Sequence, residues 1–305
     1  MEYSILKSFD NEKLYLKIYK VDNPKGAIQI VHGMMEHQER YRDFAHFLNQ
    51  NGYTVITSDL RGHGSNCTEL GFFKNKYGYK ALIKDQIEIT NYIKNELKIQ
   101  NVILFGHSMG SIITRNVIKT SSQEYEKVIL SGFPNYNKFA PFAILLSNII
   151  KLFEGKHSHS TLLEKGALGP FEKAIKDRKT NLDWLSVNKE NVDEYIKDPL
   201  CGFKFSNQAY NDLFHLMYEM GKTNLKNVKE DLPILLLNGE NDPCVGSLKG
   251  IKVSRKILKK QGFKNQRHIS YPRLRHEILK EKEKDIVYKD ILNFVEEKYA
   301  KCNFK

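Results

Sequence analysis

Apolar and polar residues alternate in EYSILKSF and again in KLYLKIYKV, on either side of the polar turn DNE. That alternation predicts an antiparallel hairpin at the start of the chain. The pattern then changes to short, nearly continuous apolar runs: AIQIVHG, YTVITSD, NVILFG, KVILSG, PILLLNG and QRHISYP. Strands buried on both faces read this way. Segments of helical spacing separate them. RYRDFAHFLNQNG ends in Gly52, a suitable C-cap. Residues 77–97 carry Leu82, Ile83, Ile87 and Ile93 at helical positions, and SIITRNVIKT and LKGIKVSRKILKKQG follow. A closing helix is expected near 282–299, with Ile286, Val287, Ile291, Phe294 and Val295 marking its buried face.

Strands alternating with helices predict an α/β fold with a mostly parallel central sheet and helices on both faces. The alternation stops at 134 and resumes at 230. The stretch 134–229 is expected to be a helical cap inserted into a core formed by 1–133 and 230–305. In such sheets ligands bind at the carboxyl ends of the strands, so the residues just after each strand are the ones to inspect.

The run NVILFG leads into GHSMGS, residues 106–111. The pattern G-x-S-x-G arises by chance in roughly one chain in ten of this length, so its surroundings must decide. Ser108 falls just past a strand end. Gly106 and Gly110 permit the sharp turn that exposes a serine oxygen, and a helix starting at the next residue points its N–H groups toward it. A serine hydroxyl needs a base, itself oriented by a third group. Of ten histidines, only His268 and His276 follow every candidate acid. His268 lies inside QRHISYP and reads as a half-buried structural residue. His276, in the loop YPRLRHEIL, is the expected base. Asp231 precedes PILLLNG, at the wrong end. Asp242, in NGENDPCVG, follows it and is the expected acid, its backbone restricted by Pro243. Glu240 is the alternative. Two backbone N–H groups are expected to form an oxyanion hole: that of Met109, after the serine, and that of Met34 in the loop HGMMEH. Gly33 allows the close approach, and His32 and His37 are expected to hold that loop by hydrogen bonds.

HGMMEHQERY, SDLRGHGSN, GHSMGS, NGENDPCVG and YPRLRHEIL occur in this order at suitable spacing. Together they resemble the α/β-hydrolase group of monoacylglycerol lipases and bacterial lysophospholipases. The resemblance implies Ser108, Asp242 and His276 as a catalytic triad, Met34 and Met109 as backbone oxyanion donors, and a helical cap that shapes an acyl pocket. DPL, residues 198–200, is similar to a motif of that cap. Met35, Ser111 and Arg273 stand where the family often has glycine. Epoxide hydrolases and dehalogenases of this fold use an aspartate nucleophile, and proline iminopeptidases usually carry tryptophan after the serine, where this chain has Met109. The implied activity is hydrolysis of a lipid carboxylic ester through an acyl-enzyme, without metal or organic cofactor. An acyltransferase, a small-ester carboxylesterase and a non-catalytic hydrophobic-ligand binding protein are the alternatives.

The most apolar stretch, FAPFAILLSNIIKLF, spans 139–153. Phe139, Phe142, Leu146 and Ile150, with Cys244, are the expected acyl-chain contacts. The same stretch is too short to span a bilayer, and no run reaches the eighteen apolar residues of a span. Composition narrows the partners further. The 305 residues carry a formal charge of +12, with 28% charged and 41% hydrophobic residues. That balance suits a globular protein with a lysine-rich surface and an attraction to anionic surfaces such as phospholipid headgroups. The basic residues are spread along the chain without a nucleic-acid-binding pattern, which argues against nucleic acid. Lys151, Lys156, Lys165, Arg273 and Arg275 are expected at the mouth of the site, favouring an anionic headgroup. Cys67, Cys201, Cys244 and Cys302 lack C-x-x-C spacing, which predicts a reduced compartment and no zinc site. HSHS, 157–160, reads as a solvated loop. The first residues lack the apolar core of a signal peptide. A cytoplasmic protein, peripheral to the inner membrane face, is expected; nothing in the sequence fixes its oligomeric state.

Overall fold

Five strands are buried at every residue: β3 (Gly26–Val31), β4 (Tyr53–Ser58), β5 (Val102–His107), β6 (Lys127–Ser131) and β7 (Ile234–Gly239). They are the continuous apolar runs of the sequence, and the computed structural model, which describes residues 1–297, places them at the centre of one sheet. β8 (Gln266–Tyr271) closes one edge. The hairpin of β1 (Glu2–Lys7) and β2 (Lys13–Tyr19) closes the other. The order is β1-β2-β4-β3-β5-β6-β7-β8. β2 runs antiparallel to β1 and β4, and all other pairings are parallel.

Alternate residues of each central strand feed two separate cores. Leu104 and Leu236 pack with Ile89 and Ile93 of α2 (Gly78–Asn95) and with α3 (Met109–Ser121) and α8 (Ser247–Lys260). Phe105 and Leu237 pack on the opposite face with Phe44 and Leu48 of α1 (Arg42–Gln50) and with α9 (Lys284–Glu296). Val287, Ile291, Phe294 and Val295 of α9 are buried as expected. Ile286 is not: it is 57% exposed. Positions 287, 291, 294 and 295 share one stripe of the helix, and 286 lies about 100° away from 287 on the helical wheel. Tyr299, at the end of the helix expected there, and Cys302 lie outside the described residues.

Between β6 and β7 the chain forms α4 (Ala140–Glu154), α5 (Thr161–Ala174), α6 (Lys189–Lys197) and α7 (Asn207–Met220), and no strand among the described residues. α7 belongs to the helical layer of the sheet. Ala209, Leu213 and Leu216 sit in the larger core, and Asn116 Nδ2 of α3 donates to Leu216 O at 3.0 Å. No described helix is long and apolar enough to cross a membrane. Cys67, Cys201 and Cys244 carry free thiols.

The register brings the strand ends that matter together. Gly106 pairs with Val31 on one side and Leu130 on the other, and Ser131 pairs with Leu237. The loops after β3, β5, β6, β7 and β8 therefore open on one edge of the sheet.

Candidate active site

β5 runs into α3 with a single residue, Ser108, between the extended and helical backbones. Its φ of 53° lies in the left-handed region, a conformation that costs a non-glycine residue roughly 1–3 kcal/mol. Close packing holds it there. A Cβ on Gly106 would come within 2.4 Å of Thr114 Oγ1, and one on Gly110 within 2.1 Å of Val31 O. Ser108 N–H donates to Ser131 O at 3.0 Å. Ser111, which stands where a glycine is common, is fully buried, and its hydroxyl donates to Ser108 O at 2.7 Å. The serine thus adds a bond to the turn that a glycine lacks.

Asp242 and His276 meet after β7 and β8. Asp242 Oδ2 accepts from His276 Nδ1 at 2.9 Å, and Asp242 Oδ1 accepts from Cys244 N–H at 2.9 Å. Glu240 is exposed and takes no part. His276 is 1% exposed, and its Nε2 has no hydrogen-bond partner among the described residues. It lines a cavity together with Ser108. Gly132 clears space for it, since a Cβ there would lie 3.0 Å from the ring. Burial alone would push the imidazole's pKa down. The charge and hydrogen bond of Asp242, with Glu277 and Glu36 behind, outweigh that and hold it above its usual 6.5. An imidazole fixed through Nδ1 by a carboxylate presents Nε2 as a base for a hydroxyl in the same cavity.

Two rings flank His276. His107 lies 4.8 Å away between centroids and Trp184 5.0 Å away. Burial lowers the pKa of His107 to about 4, so it stays neutral beside its neighbour. Trp184 comes from the segment between β6 and β7. That segment is fastened over the His276 loop: Glu277 N–H donates to Leu185 O at 2.7 Å, and Arg275 Nη1 donates to Asp183 O. Glu281 accepts from Ser186 Oγ and from the Val187 and Asn188 N–H groups.

The loop after β3 is organised by an ion cluster whose members stand in two of the quoted stretches, HGMMEHQERY and YPRLRHEIL, but whose pairing the sequence did not reveal. Arg40 Nη1 and Nη2 grip both oxygens of Glu277, at 2.5 and 2.9 Å, and Nη1 lies 3.1 Å from Glu36 Oε2. Glu36 Oε1 accepts from Gly33 N–H at 2.5 Å and from Tyr41 OH at 2.8 Å. Asn191 of α6 bonds both Arg40 and Glu277. Burial would raise the pKa of Glu277, but Arg40 and Asn191 hold it down at about 2. His32 Nε2 accepts from Leu60 N–H and its Nδ1 donates to Gly33 O, while His37 bonds Asp198. Both hold the loop, as their positions suggested. Met35 and Arg273, two departures from the familiar glycines, have φ of 55° and 65°. His63 Nε2 accepts from Met35 N–H, and Met35 O accepts from Tyr195 OH and Gly202 N–H.

Ser108 stands where two cavities meet. One, of about 710 Å³, is lined mainly by apolar side chains, including Met34, Met109, Phe139, Phe142, Leu146, Trp184 and Cys244. The other, of about 160 Å³, has a mixed lining: Leu168, Leu182 and Leu185 face it together with Glu164, Glu172 and Asn181, beside His276. Ile150, expected to contact an acyl chain, lies elsewhere: it faces inward from α4 into the larger core. The expected cations do not line either cavity. Lys151 is held by Gln208 and Asn211, and Arg275 by backbone carbonyls. His157 and His159 of the HSHS stretch bond separate partners, Glu69 and Phe205 O.

Residues 22–283 match the model of the Hydrolase_4 family, described as serine aminopeptidase, S33. The human monoglyceride lipase is 25% identical over 265 residues, which cover 84% of this chain and 78% of the relative. The phospholipase YtpA of Bacillus subtilis is 22% identical, over 92% and 98%. A thermostable carboxyl esterase of Bacillus coagulans superimposes with a TM-score of 0.86 at 24% identity, over 96% of this chain and 97% of that one.

Removing one member of a buried, bonded ion cluster leaves its partners uncompensated. Arg40→Ala is expected to cost about 3–5 kcal/mol of unfolding free energy in urea denaturation, with Arg40→Lys recovering only part. A loss below about 1 kcal/mol would contradict this account of the cluster.

Proposed function

The chain belongs to the Hydrolase_4 (serine aminopeptidase, S33) family of α/β-hydrolases, and we propose that it hydrolyses carboxylic esters of lipids, with a monoacylglycerol as substrate class. The observation that carries this reading is the position of Ser108 between a large apolar cavity and a smaller one that carries carboxylates. Ser108 is the nucleophile, His276 the base and Asp242 the group that fixes the imidazole tautomer. The N–H groups of Met34 and Met109 stabilise the oxyanion; such a donor contributes roughly 3–4 kcal/mol. An acyl-enzyme forms, the alcohol leaves, and water completes the cycle. The segment 134–229, apart from α7, which joins the helical layer, acts as the cap of a core made of 1–133 and 230–305, its Phe139, Phe142 and Leu146 offering an acyl chain apolar contact. Each buried methylene adds about 0.8 kcal/mol. Lys138 is the one charged lining residue of the large cavity among the described residues, which suits an acyl chain better than a peptide.

The smaller cavity changes the expectation for the headgroup. Glu164 and Glu172 line it and the five expected cations do not, so a neutral glycerol fits and an anionic headgroup is repelled. The similarity to a monoglyceride lipase agrees with this, while the likeness to a phospholipase keeps a lysophospholipid as the comparison substrate. Membrane contact is a second part of the proposal. Phe139, Phe142, Leu145, Ile149, Leu152 and Phe153 of α4 and its N-cap are exposed, the last two more than 80%, with Lys138, Lys156 and Lys165 nearby in sequence. That face suits the surface of an anionic membrane.

A fluorophosphonate probe is expected to label the wild type and not Ser108→Ala; an unlabelled wild type would favour a binding protein. Monoacylglycerol should turn over at least tenfold faster than lysophosphatidylglycerol, and equal rates would remove the headgroup argument. The kcat/KM profile should rise through an apparent pKa above 6.5, because His276 must lose its proton to act. In Asp242→Asn the largest upward influence is lost and only Glu277 and Glu36 oppose burial, so the inflection should move to lower pH than in the wild type and the rate drop by about 10⁴. Sedimentation with anionic vesicles should weaken about tenfold or more in Leu152→Glu/Phe153→Glu; unchanged sedimentation would exclude this face.

A further inference from the structure

We propose that His37, Asp198 and Cys201 form a binding site for a zinc-class divalent ion, at the joint between the loop after β3 and the inserted segment. The sequence argued against a zinc site because its cysteines lack C-x-x-C spacing, and these three residues stand 161 and 3 positions apart. The fold gathers them. One donor atom from each lies within 4.8 Å of the other two, and His37 Nε2 is 2.7 Å from Asp198 Oδ2.

A tetrahedral zinc with Zn–S of about 2.3 Å and Zn–N or Zn–O of about 2.0–2.1 Å sets its ligand atoms roughly 3.3–3.7 Å apart. The histidine and aspartate atoms must separate by about 0.6 Å, and the sulfur, within 4.8 Å of both, must approach by up to about 1.3 Å. The set of imidazole, thiolate and carboxylate suits zinc or cobalt and not magnesium or calcium, which take oxygen ligands. Binding releases the thiol proton to solvent and leaves the remaining imidazole proton on Nδ1. The Asp198 side chain is 32% exposed, which supplies an entry path and room for a fourth, water ligand.

The backbone prearranges two of the three ligands. The turn 198–201 is closed by Cys201 N–H to Asp198 O at 3.0 Å and by Leu200 N–H to Asp198 Oδ1 at 2.8 Å. It is docked on the loop that carries His37, through Gly202 N–H to Met35 O at 2.9 Å. The charge around it also favours a cation. Around the Cys201 thiol the carboxylates of Asp198, Glu36 and Glu277 outnumber the one cation, Arg40, and together with burial they keep the thiol protonated until a metal ion displaces the proton. Asp242, Cys244 and His276 also lie within donor reach of one another. There the Asp242–His276 bond is the one that orients the imidazole beside Ser108, so that group serves as the control.

The test is titration of dialysed protein with zinc chloride by calorimetry and with cobalt chloride by absorption. One equivalent is expected to bind, with a thiolate-to-cobalt charge-transfer band. Cys201→Ser and Asp198→Asn, each with an unchanged circular dichroism spectrum, should weaken zinc at least tenfold and abolish or reduce the band. Cys244→Ser and Cys302→Ser should leave both readings as in the wild type. Absence of saturable binding would overturn the site. So would binding that survives Cys201→Ser but is lost in Cys244→Ser or Cys302→Ser.

Discussion

The grip of Arg40 on Glu277 and Glu36 is the contact on which the site's geometry depends. Three chain segments that never approach in sequence converge on one guanidinium. Glu36 carries the pull to Gly33 N–H, in the loop that adjoins Ser108. Glu277 is the residue next to His276. Asn191 brings in the inserted segment. Buried ion clusters rarely add much net stability, because desolvation cancels most of the Coulombic gain. What this one supplies is registration: the loop after β3 and the loop after β8 cannot shift independently while the fork holds.

Backbone strain is also present on the same edge of the sheet. Ser108, Met35 and Arg273 all have positive φ without being glycine, and each follows a strand of the parallel sheet. Met35 is tied at both its N–H and its carbonyl, and Ser108 through its N–H and its carbonyl. The rigid sheet beneath and the hydrogen bonds around them hold these conformations against their cost, as is common where a site must be preorganised.

The parallel strands were legible because burial on both faces leaves an uninterrupted apolar run, and no neighbour can disguise that. The places of Ser108, Asp242 and His276 followed from the rule that strand ends carry function, and the fold collects those ends. What escaped was set by contacts across long sequence separations. Arg40 stood in a quoted motif, but its partner Glu277 is 237 positions away. Trp184 lay in a segment without periodicity. Ile286 and Ile150 were misassigned to a face because apolarity alone does not give a helix its rotation. The five cations were placed by sequence neighbourhood, whereas backbone carbonyls and amide side chains hold two of them elsewhere.

The chain contains a single tryptophan, and its indole lies against the imidazole of His276. The long-wavelength ultraviolet emission of the whole molecule therefore originates at one point. An imidazolium beside an indole quenches it, and a neutral imidazole does so far less. Proton occupancy at His276 is thus written into the intrinsic fluorescence without any attached dye. The same light also reports whether the inserted segment rests on the sheet edge, because Trp184 leaves the imidazole only if that segment lifts.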